Sequence, residues 1–392
     1  MCGFVGFVGG TDNQSEVLTK MMDRIVHRGP DMGGQFIDGR VALGFRRLSI
    51  LDLTEAGAQP MANEDGSVVI VFNGEIYNFQ ELRSELEAKG YKFHCGADTE
   101  SLLHGYEEWG EAVLDRLRGM YAFVIWDKKK NKLFGARDIF GIKPLYYYPM
   151  ADAGDGAPGV LFGSEIKSFL DYPHFHKAVN KKALRPYMTL QYSATEETFF
   201  EGVYKLPPAH YFTVDIPTGK MNIERYWDCD YSAVEKPFEE YVDELDEVVH
   251  ESVEAHRIAD VKVASFLSGG VDSSYIAACL MPDKTFSVGF DYKNFNETNY
   301  AKELSDKLGV ENVRRRVLRC ARGYPVSHGR AAVQPVFCAA VVLGRDGPQG
   351  RHRRAFGRRR RRTLWRLRLL RGHGPGPQVQ KDGAAAHPSR AR

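Results

Sequence analysis

Cys2 stands directly behind Met1, so one further cut would place a thiol on the chain's own α-amine. Sulfur and amine would then share a residue: a nucleophile for a carbonyl and a base, of pKa about 7.7–8.0, to take its proton. A Met-Cys start on its own is most often incidental, and its meaning rests on what else the chain supplies. Asn73-Gly74 follows the β-branched run Val68–Phe72. A side-chain amide beside a backbone N–H at a strand end has the makeup of an oxyanion hole, about 3–4 kcal/mol per donor. Arg47, in Arg47-Leu48-Ser49-Ile50, offers a fork for a carboxylate, and Asp98 offers a carboxylate for an ammonium group. Taken singly, Asn73-Gly74 reads equally as a hairpin turn and Arg47 as a surface cation.

A second constellation lies two hundred residues on. Ser268-Gly269-Gly270-Val271-Asp272-Ser273-Ser274 falls between a strand-like and a helix-like segment. Successive small residues let backbone N–H groups converge at a helix N-terminus, where phosphate binds. Ser268, Ser273 and Ser274 add hydroxyls, and Asp272 is the candidate to hold Mg2+ against phosphates. The spacing is not G-x-x-x-x-G-K-[ST], which argues against the P-loop type of β/γ cleavage.

These residues need elements to hold them. Cys2–Val8 reads as a wholly apolar strand with glycines that admit close backbone approach. Val68–Phe72 is a strand closed by the Asn73-Gly74 turn signal. Asn78 is a good N-cap for a helix over 81–89, and Asp98-Thr99-Glu100-Ser101 opens another. Strands follow over 120–126, 132–137, 145–148 and 160–163, so the first part reads as sheets packed inside an α+β sandwich. After Pro207-Pro208 and Lys236-Pro237 the pattern changes to helix (238–255), strand (261–267), helix (271–280), strand (285–290) and helix (298–308). That alternation predicts a parallel, doubly wound sheet.

Composition bounds the rest. The 392 residues suit two domains. No stretch reads as a membrane span or signal peptide. The six cysteines show no C-x-x-C spacing, so neither a zinc site nor a disulfide framework is indicated, and a reduced cytoplasm is expected. The formal charge of +2 hides an asymmetry: from Arg314 onward 20 Arg and 1 Lys face 2 Asp, a net of +19, against −17 for the first 313 residues.

Cys-Gly-Phe-Val-Gly at the start, His27-Arg28-Gly29-Pro30-Asp31, Arg47–Asp52, Asn73–Asn78 and Asp98-Thr99-Glu100 together resemble the glutaminase domain of class II glutamine amidotransferases. That resemblance implies a four-layer α+β sandwich of the N-terminal-nucleophile hydrolase type. It implies Cys2 as nucleophile, Asn73 and Gly74 as oxyanion donors, and Arg47, Leu48, Ser49, Ile50, Leu51, Glu75 and Asp98 as the glutamine pocket. The Ser268–Ser274 loop resembles the pyrophosphate loop of ATP pyrophosphatases, and with the run Val203–His210 the whole is similar to glutamine-dependent asparagine synthetases. In that family ATP adenylates the side-chain carboxylate of aspartate and ammonia displaces AMP, and Leu267 and Val288 match positions that contact the nucleotide. Glutamine, aspartate and ATP are then the expected small-molecule partners, with Mg2+; neither nucleic acid nor membrane is expected, and a homodimer is the assembly it allows. The organisation implied is a glutaminase domain over 2–219, a linker over 220–237 and the first part of a synthetase domain over 238–313.

Beyond residue 313 the resemblance stops. The S-G-E-G-x-D-E motif of the family is missing, and the Arg-rich run Arg358–Arg362 reads either as a nucleic-acid patch or as a disordered polycation. A third reading accounts for more: reread one base later, Phe356–Leu367 can encode S-G-E-G-A-D-E-L-F-G-G-Y. Residues 314–392 are therefore expected to be an out-of-frame, disordered translation, and the second domain a truncated one. Another ATP-dependent class II amidotransferase is the alternative within enzymes; a basic nucleic-acid-binding protein is the alternative outside them.

Overall fold

The computed structural model describes residues 2–193, 195–232, 234–289 and 297–316. The strands in chain order are β1 (Gly3–Val8), β2 (Met32–Asp38), β3 (Val41–Arg47), β4 (Met61–Ala62), β5 (Val68–Ile76), β6 (Gly119–Asp127), β7 (Lys132–Arg137), β8 (Tyr146–Met150), β9 (Gly159–Gly163), β10 (Tyr204–Lys205), β11 (His210–Asp215), β12 (Met221–Arg225), β13 (Ala264–Phe266), β14 (Lys284–Gly289) and β15 (Glu311–Arg316). The α-helices are α1 (Gln14–Asp23), α2 (Phe79–Ala88), α3 (Asp98–Trp109), α4 (Lys181–Leu190), α5 (Phe238–Ala255), α6 (Val271–Leu280) and α7 (Thr298–Leu308). Two antiparallel six-stranded sheets have the orders β10-β8-β9-β1-β3-β2 and β12-β11-β7-β6-β5-β4, and a third, parallel sheet is β13-β14-β15.

The strand period of two decides which face meets what. On β1, Phe4 and Val8 enter a core shared with Val69 and Val71 of β5 and Val124 of β6. Val5 and Phe7, one residue out of step, pack instead on Leu18 and Met21 of α1. On β5 the complementary set Val68, Ile70 and Phe72 packs on Leu82 of α2 and Leu102 of α3. Each large sheet thus buries one face on the other sheet and one on helices, an α+β arrangement. A slip of one residue would turn either apolar set to the wrong side.

Several expectations need correction. Asn73-Gly74 is no turn: β5 runs through it to Ile76, paired with β6 as far as Gly119. The ladder wins because Gly74 lacks a side chain where β6 comes closest; a Cβ there would lie 2.5 Å from the Met120 carbonyl oxygen. Asn78 occupies the N-cap position of α2 without capping it. Its amide oxygen accepts from Arg118 N at 2.9 Å and its Nδ2 donates to the Arg116 carbonyl at 2.9 Å, tying down a distant loop instead. The strand expected over 261–267 shortens to β13. The stretch expected as a linker, 220–237, begins inside the second sheet, since β12 pairs with β11. β15 carries the parallel sheet through the change of composition at 312–316, to Arg316. The reading of residues 317–392, Arg358–Arg362 included, lies outside the described residues, as does Phe290. Among the described residues, no helix is long and apolar enough to cross a membrane.

Candidate active site

Cys2 precedes β1 and keeps its period, so its side chain packs partly against the core between the two large sheets. Leu48 N donates to the Cys2 sulfur at 3.3 Å, and Arg28 Nε donates to the Cys2 carbonyl at 2.9 Å. Arg28 is itself buried and donates through Nη1 to Glu165 at 2.9 Å; His27 Nε2 lies 3.0 Å from the same carboxylate oxygen. Burial would push the Glu165 carboxyl up, but His27 and Arg28 outweigh it and hold it well below its usual range. The His27–Asp31 motif is therefore a support under the thiol. Its last residue, Asp31, accepts from Ser49 N at 3.1 Å and fixes the segment after β3.

Facing Cys2 across the core, β5 continues the inward set of Val69 and Val71 with Asn73 and Glu75. Asn73 is 1% exposed, and its Nδ2 has no hydrogen-bond partner among the described residues. Leaving such a donor buried and unmade costs about 1–3 kcal/mol. The N–H groups of residues 72, 74 and 76 share one edge of β5 by the same alternation. Phe72 N donates to Gln59 Oε1 at 2.6 Å and Ile76 N to Asp98 Oδ2 at 2.8 Å, which leaves the Gly74 N–H between two occupied neighbours. A buried side-chain amide without a partner stands beside a strand N–H, the two donor types an oxyanion hole uses.

The charged groups follow the same logic of enclosure. Burial pushes the Glu75 carboxyl above its usual pKa, against the pull of the Lys143 ammonium. Asp98, the first residue of α3, is pushed up to about 7 by burial, with the Ile76 N–H opposing the rise. Burial in turn pulls Lys143 below its usual pKa, while Glu75 and Asp138 oppose that fall. Arg47 is placed otherwise than a free fork: it donates to the carbonyls of Thr54 at 2.6 Å, Leu51 at 3.3 Å and Asp52, and so holds the 51–54 loop. The carbonyl of Ile50 accepts from Asp260 N at 3.0 Å, and half-buried Leu51 lines a cleft of about 330 Å3 with Ile258 and Asp260.

Lys143, Asp138 and Arg137 escaped the sequence reading. Arg137, 1% exposed, donates to the carbonyls of Lys143, Leu206 and Gly141 at 2.5–2.7 Å. Asp138, 0% exposed, accepts from Ile142 N at 2.8 Å and Lys143 N at 2.9 Å. A guanidinium for the carbonyls and a carboxylate for the N–H groups fix the loop that carries Lys143 inward. The available signal was an Arg-Asp pair closing β7 ahead of Gly141 and Lys143-Pro144, charged residues in a run otherwise fit for burial.

The second candidate site lies at the C-terminal ends of β13 and β14, as the strand-helix alternation requires. Gly269 turns the chain with φ +85°, a conformation that L side chains rarely adopt, and a Cβ would lie 2.7 Å from the Glu297 carbonyl oxygen. Ser268 Oγ and Ser273 Oγ lie 2.8 Å apart, Gly270 N donates to Ser268 Oγ at 3.2 Å, and Gly270 caps α6. Asp272 and Val271 are exposed in the first turn, followed by Ser274, whose N–H donates to the Gly270 carbonyl at 3.0 Å. Leu267 is buried and Val288 half-buried on the neighbouring strand. Among the described residues, Ser268, Gly269 and Gly270 are half-buried and Val271 and Asp272 exposed.

Comparisons with known proteins follow the same division. Residues 1–227 match a family described as "Glutamine amidotransferase domain", and residues 244–320 match "Asparagine synthase". The chain is 44% identical over 322 residues to asparagine synthetase [glutamine-hydrolyzing] 1 of Bacillus subtilis (strain 168), covering 80% of this chain and 50% of that protein. It is 37% identical over 284 residues to asparagine synthetase [glutamine-hydrolyzing] 3 of the same organism, covering 71% and 45%. Among solved structures, the glutamine phosphoribosylpyrophosphate amidotransferase of B. subtilis aligns at 16% identity and a TM-score of 0.43, covering 80% of this chain and 65% of that one. The chain spans about half the length of the curated relatives it matches. Motif order, family match and relatives agree, and the chain belongs to the glutamine amidotransferase domain family.

Proposed function

We propose that this chain hydrolyses glutamine at Cys2 and passes ammonia toward an ATP-dependent asparagine synthesis. The Cys2 thiolate attacks the side-chain amide carbon of glutamine, ammonia leaves, and water releases glutamate from the thioester. Asn73 Nδ2 and the Gly74 N–H hold the oxyanion; Asp98 and Glu75 take the substrate ammonium, and the Leu48–Leu51 segment, whose end Arg47 holds, takes its carboxylate. The buried, partnerless Asn73 amide opposite the thiol carries this reading, because an acceptor that appears only in the reaction satisfies it. Acid-quenching the chain with labelled glutamine should leave label on Cys2, and ammonia should appear in step with glutamate. Ammonia release without a Cys2 adduct would overturn the assignment.

The domain division follows: a four-layer glutaminase over 2–219 of the N-terminal-nucleophile type, a connector over 220–237 that still contributes β12, and the opening of a doubly wound synthetase domain over 238–313. The Ser268–Ser274 loop, with Leu267 and Val288 beside it, fits an ATP phosphate chain, and the exposed Asp272 fits the one carboxylate that Mg2+ takes beside phosphates. When bound, ATP supplies the leaving group that activates the aspartate carboxylate. This chain's residues contribute the cradle of N–H groups and hydroxyls that orients it. The setting proposed is cytoplasmic, with a homodimer as the assembly.

A further inference from the structure

On the helix side of the second sheet, away from Cys2, a cleft of about 300 Å3 is lined by Asn63, Glu64, His94, Glu100 and His104. His104, on α3, is 1% exposed and lies under the rings of Tyr91 and Phe93. Its Nδ1 lies 2.7 Å from Glu107 Oε2, and Glu107 Oε1 accepts from Asn63 Nδ2 at 2.6 Å. A carboxylate at Nδ1 places the ring proton there and leaves the Nε2 lone pair forward. That Nε2 is buried and has no hydrogen-bond partner among the described residues. It lies 4.0 Å from Glu100 Oε1, and ligand atoms of Glu64, His104 and Glu107 fall within 4.8 Å of one another. His94, with its side chain on the rim, lies 3.3 Å from the same Glu100 oxygen. Two atoms bonded to one ion at about 2.1 Å in tetrahedral geometry stand roughly 3.4 Å apart, so the 4.0 Å between His104 Nε2 and Glu100 Oε1 closes with a shift of about 0.3 Å per side chain.

We propose that this cleft binds one divalent transition-metal ion of the zinc class, ligated by His104 Nε2, Glu64 and Glu100 with His94 as the mobile fourth ligand, and with Glu107 orienting the imidazole. Imidazole with carboxylate favours zinc, nickel or cobalt over Mg2+ or Ca2+, which prefer all-oxygen shells. The ion would join the loop before Asp98 to α3 and to the β4–β5 turn, bracing a structure that positions the active-site carboxylate from outside.

The test is a titration of the full reduced chain with Co2+, read by its visible d–d absorption, and with Zn2+ in competition and in thermal unfolding. One equivalent of Co2+ should give a spectrum without the thiolate charge-transfer band, displaced by Zn2+ and unaffected by Cys2→Ser. His104→Gln should abolish it; Glu107→Gln should weaken it by about 10–100-fold. Because His104 is buried, Glu64→Gln and His94→Ala, both at exposed positions, give the same test without disturbing the core; each should weaken binding and remove the Zn2+-induced rise in Tm. Absence of saturable Co2+ or Zn2+ binding would overturn the proposal. So would a spectrum lost in Cys2→Ser and retained in Glu64→Gln, or preference for Mg2+ over Zn2+.

Discussion

The two sites proposed for negative charge on this chain are built in opposite ways. At Asn73-Gly74 the donors lie on β5, next to the edge of one six-stranded sheet, with Asn73 1% exposed. At Ser268–Ser274 they lie at the end of a three-stranded sheet, with Val271 84% exposed. The difference matches the charge each would meet. An oxyanion exists only during the reaction, and donors fixed in a dry site stabilise it most because they need no reorganisation. Phosphate arrives already charged, and a helix N-terminus with hydroxyls can wait for it in water. The first device is closed by its own domain, and the second stays open on its described side.

The sharpest way to break this comparison is Cys2→Ala. The fold should persist, because Arg28 holds the residue 2 carbonyl and not the side chain, while ammonia release from glutamine falls to background. Retention of normal ammonia release would remove the thiol from the mechanism. Asn73→Ala should lower glutaminase kcat by about 10²–10³ with little change in KM. A rise confined to KM would make Asn73 a ground-state contact.

Asp98 supplies a pH test. Its pKa is pushed up to about 7 from an ordinary 3.8, so the folded chain keeps a proton that the unfolded chain releases. Its contribution to stability is full below pH 3.8 and is lost as pH rises through about 7. Urea unfolding of Asp98→Asn against the parent chain should show the variant gaining relative stability between those limits, and the parent's KM for glutamine should fall as the carboxylate forms. A difference independent of pH would show that Asp98 is already ionised throughout. The smallest effect belongs to the open device. Ser273→Ala removes the hydroxyl bonded to Gly270 and Ser268, and Mg-ATP binding by the parent chain should weaken about fivefold, the worth of roughly one hydrogen bond. Equal affinity in calorimetry would show that the loop holds without it.

What the sequence made legible was local. The strand from Gly3, the helices Asp98–Trp109, Phe238–Ala255 and Val271–Leu280, and the small-residue loop before the last follow from period and punctuation within a few residues. The Asn73-Gly74 turn failed because a dipeptide preference is weaker than a nine-residue ladder with β6. Lys143, Asp138, Arg137 and Glu165 stayed hidden for another reason. Each acts across 100 residues or more of chain, or through a loop whose inward course depends on buried charges that composition places outside. Even Arg47, expected as a binding fork, is occupied with carbonyls from its own loop, a role visible only when the loop is in place.

The grip of Arg28 on the Cys2 carbonyl has one more consequence. From Gly3 onward β1 is buried without a break, so the backbone at Cys2 cannot swing aside to make room. With Cys2 as the nucleophile, a residue ahead of it turns the α-amine into an amide and removes the base beside the sulfur. Trimming that residue would then be a one-way maturation step, a single peptide bond separating a precursor from a working thiol. A tag fused ahead of Cys2 would acylate the same amine, whatever its sequence.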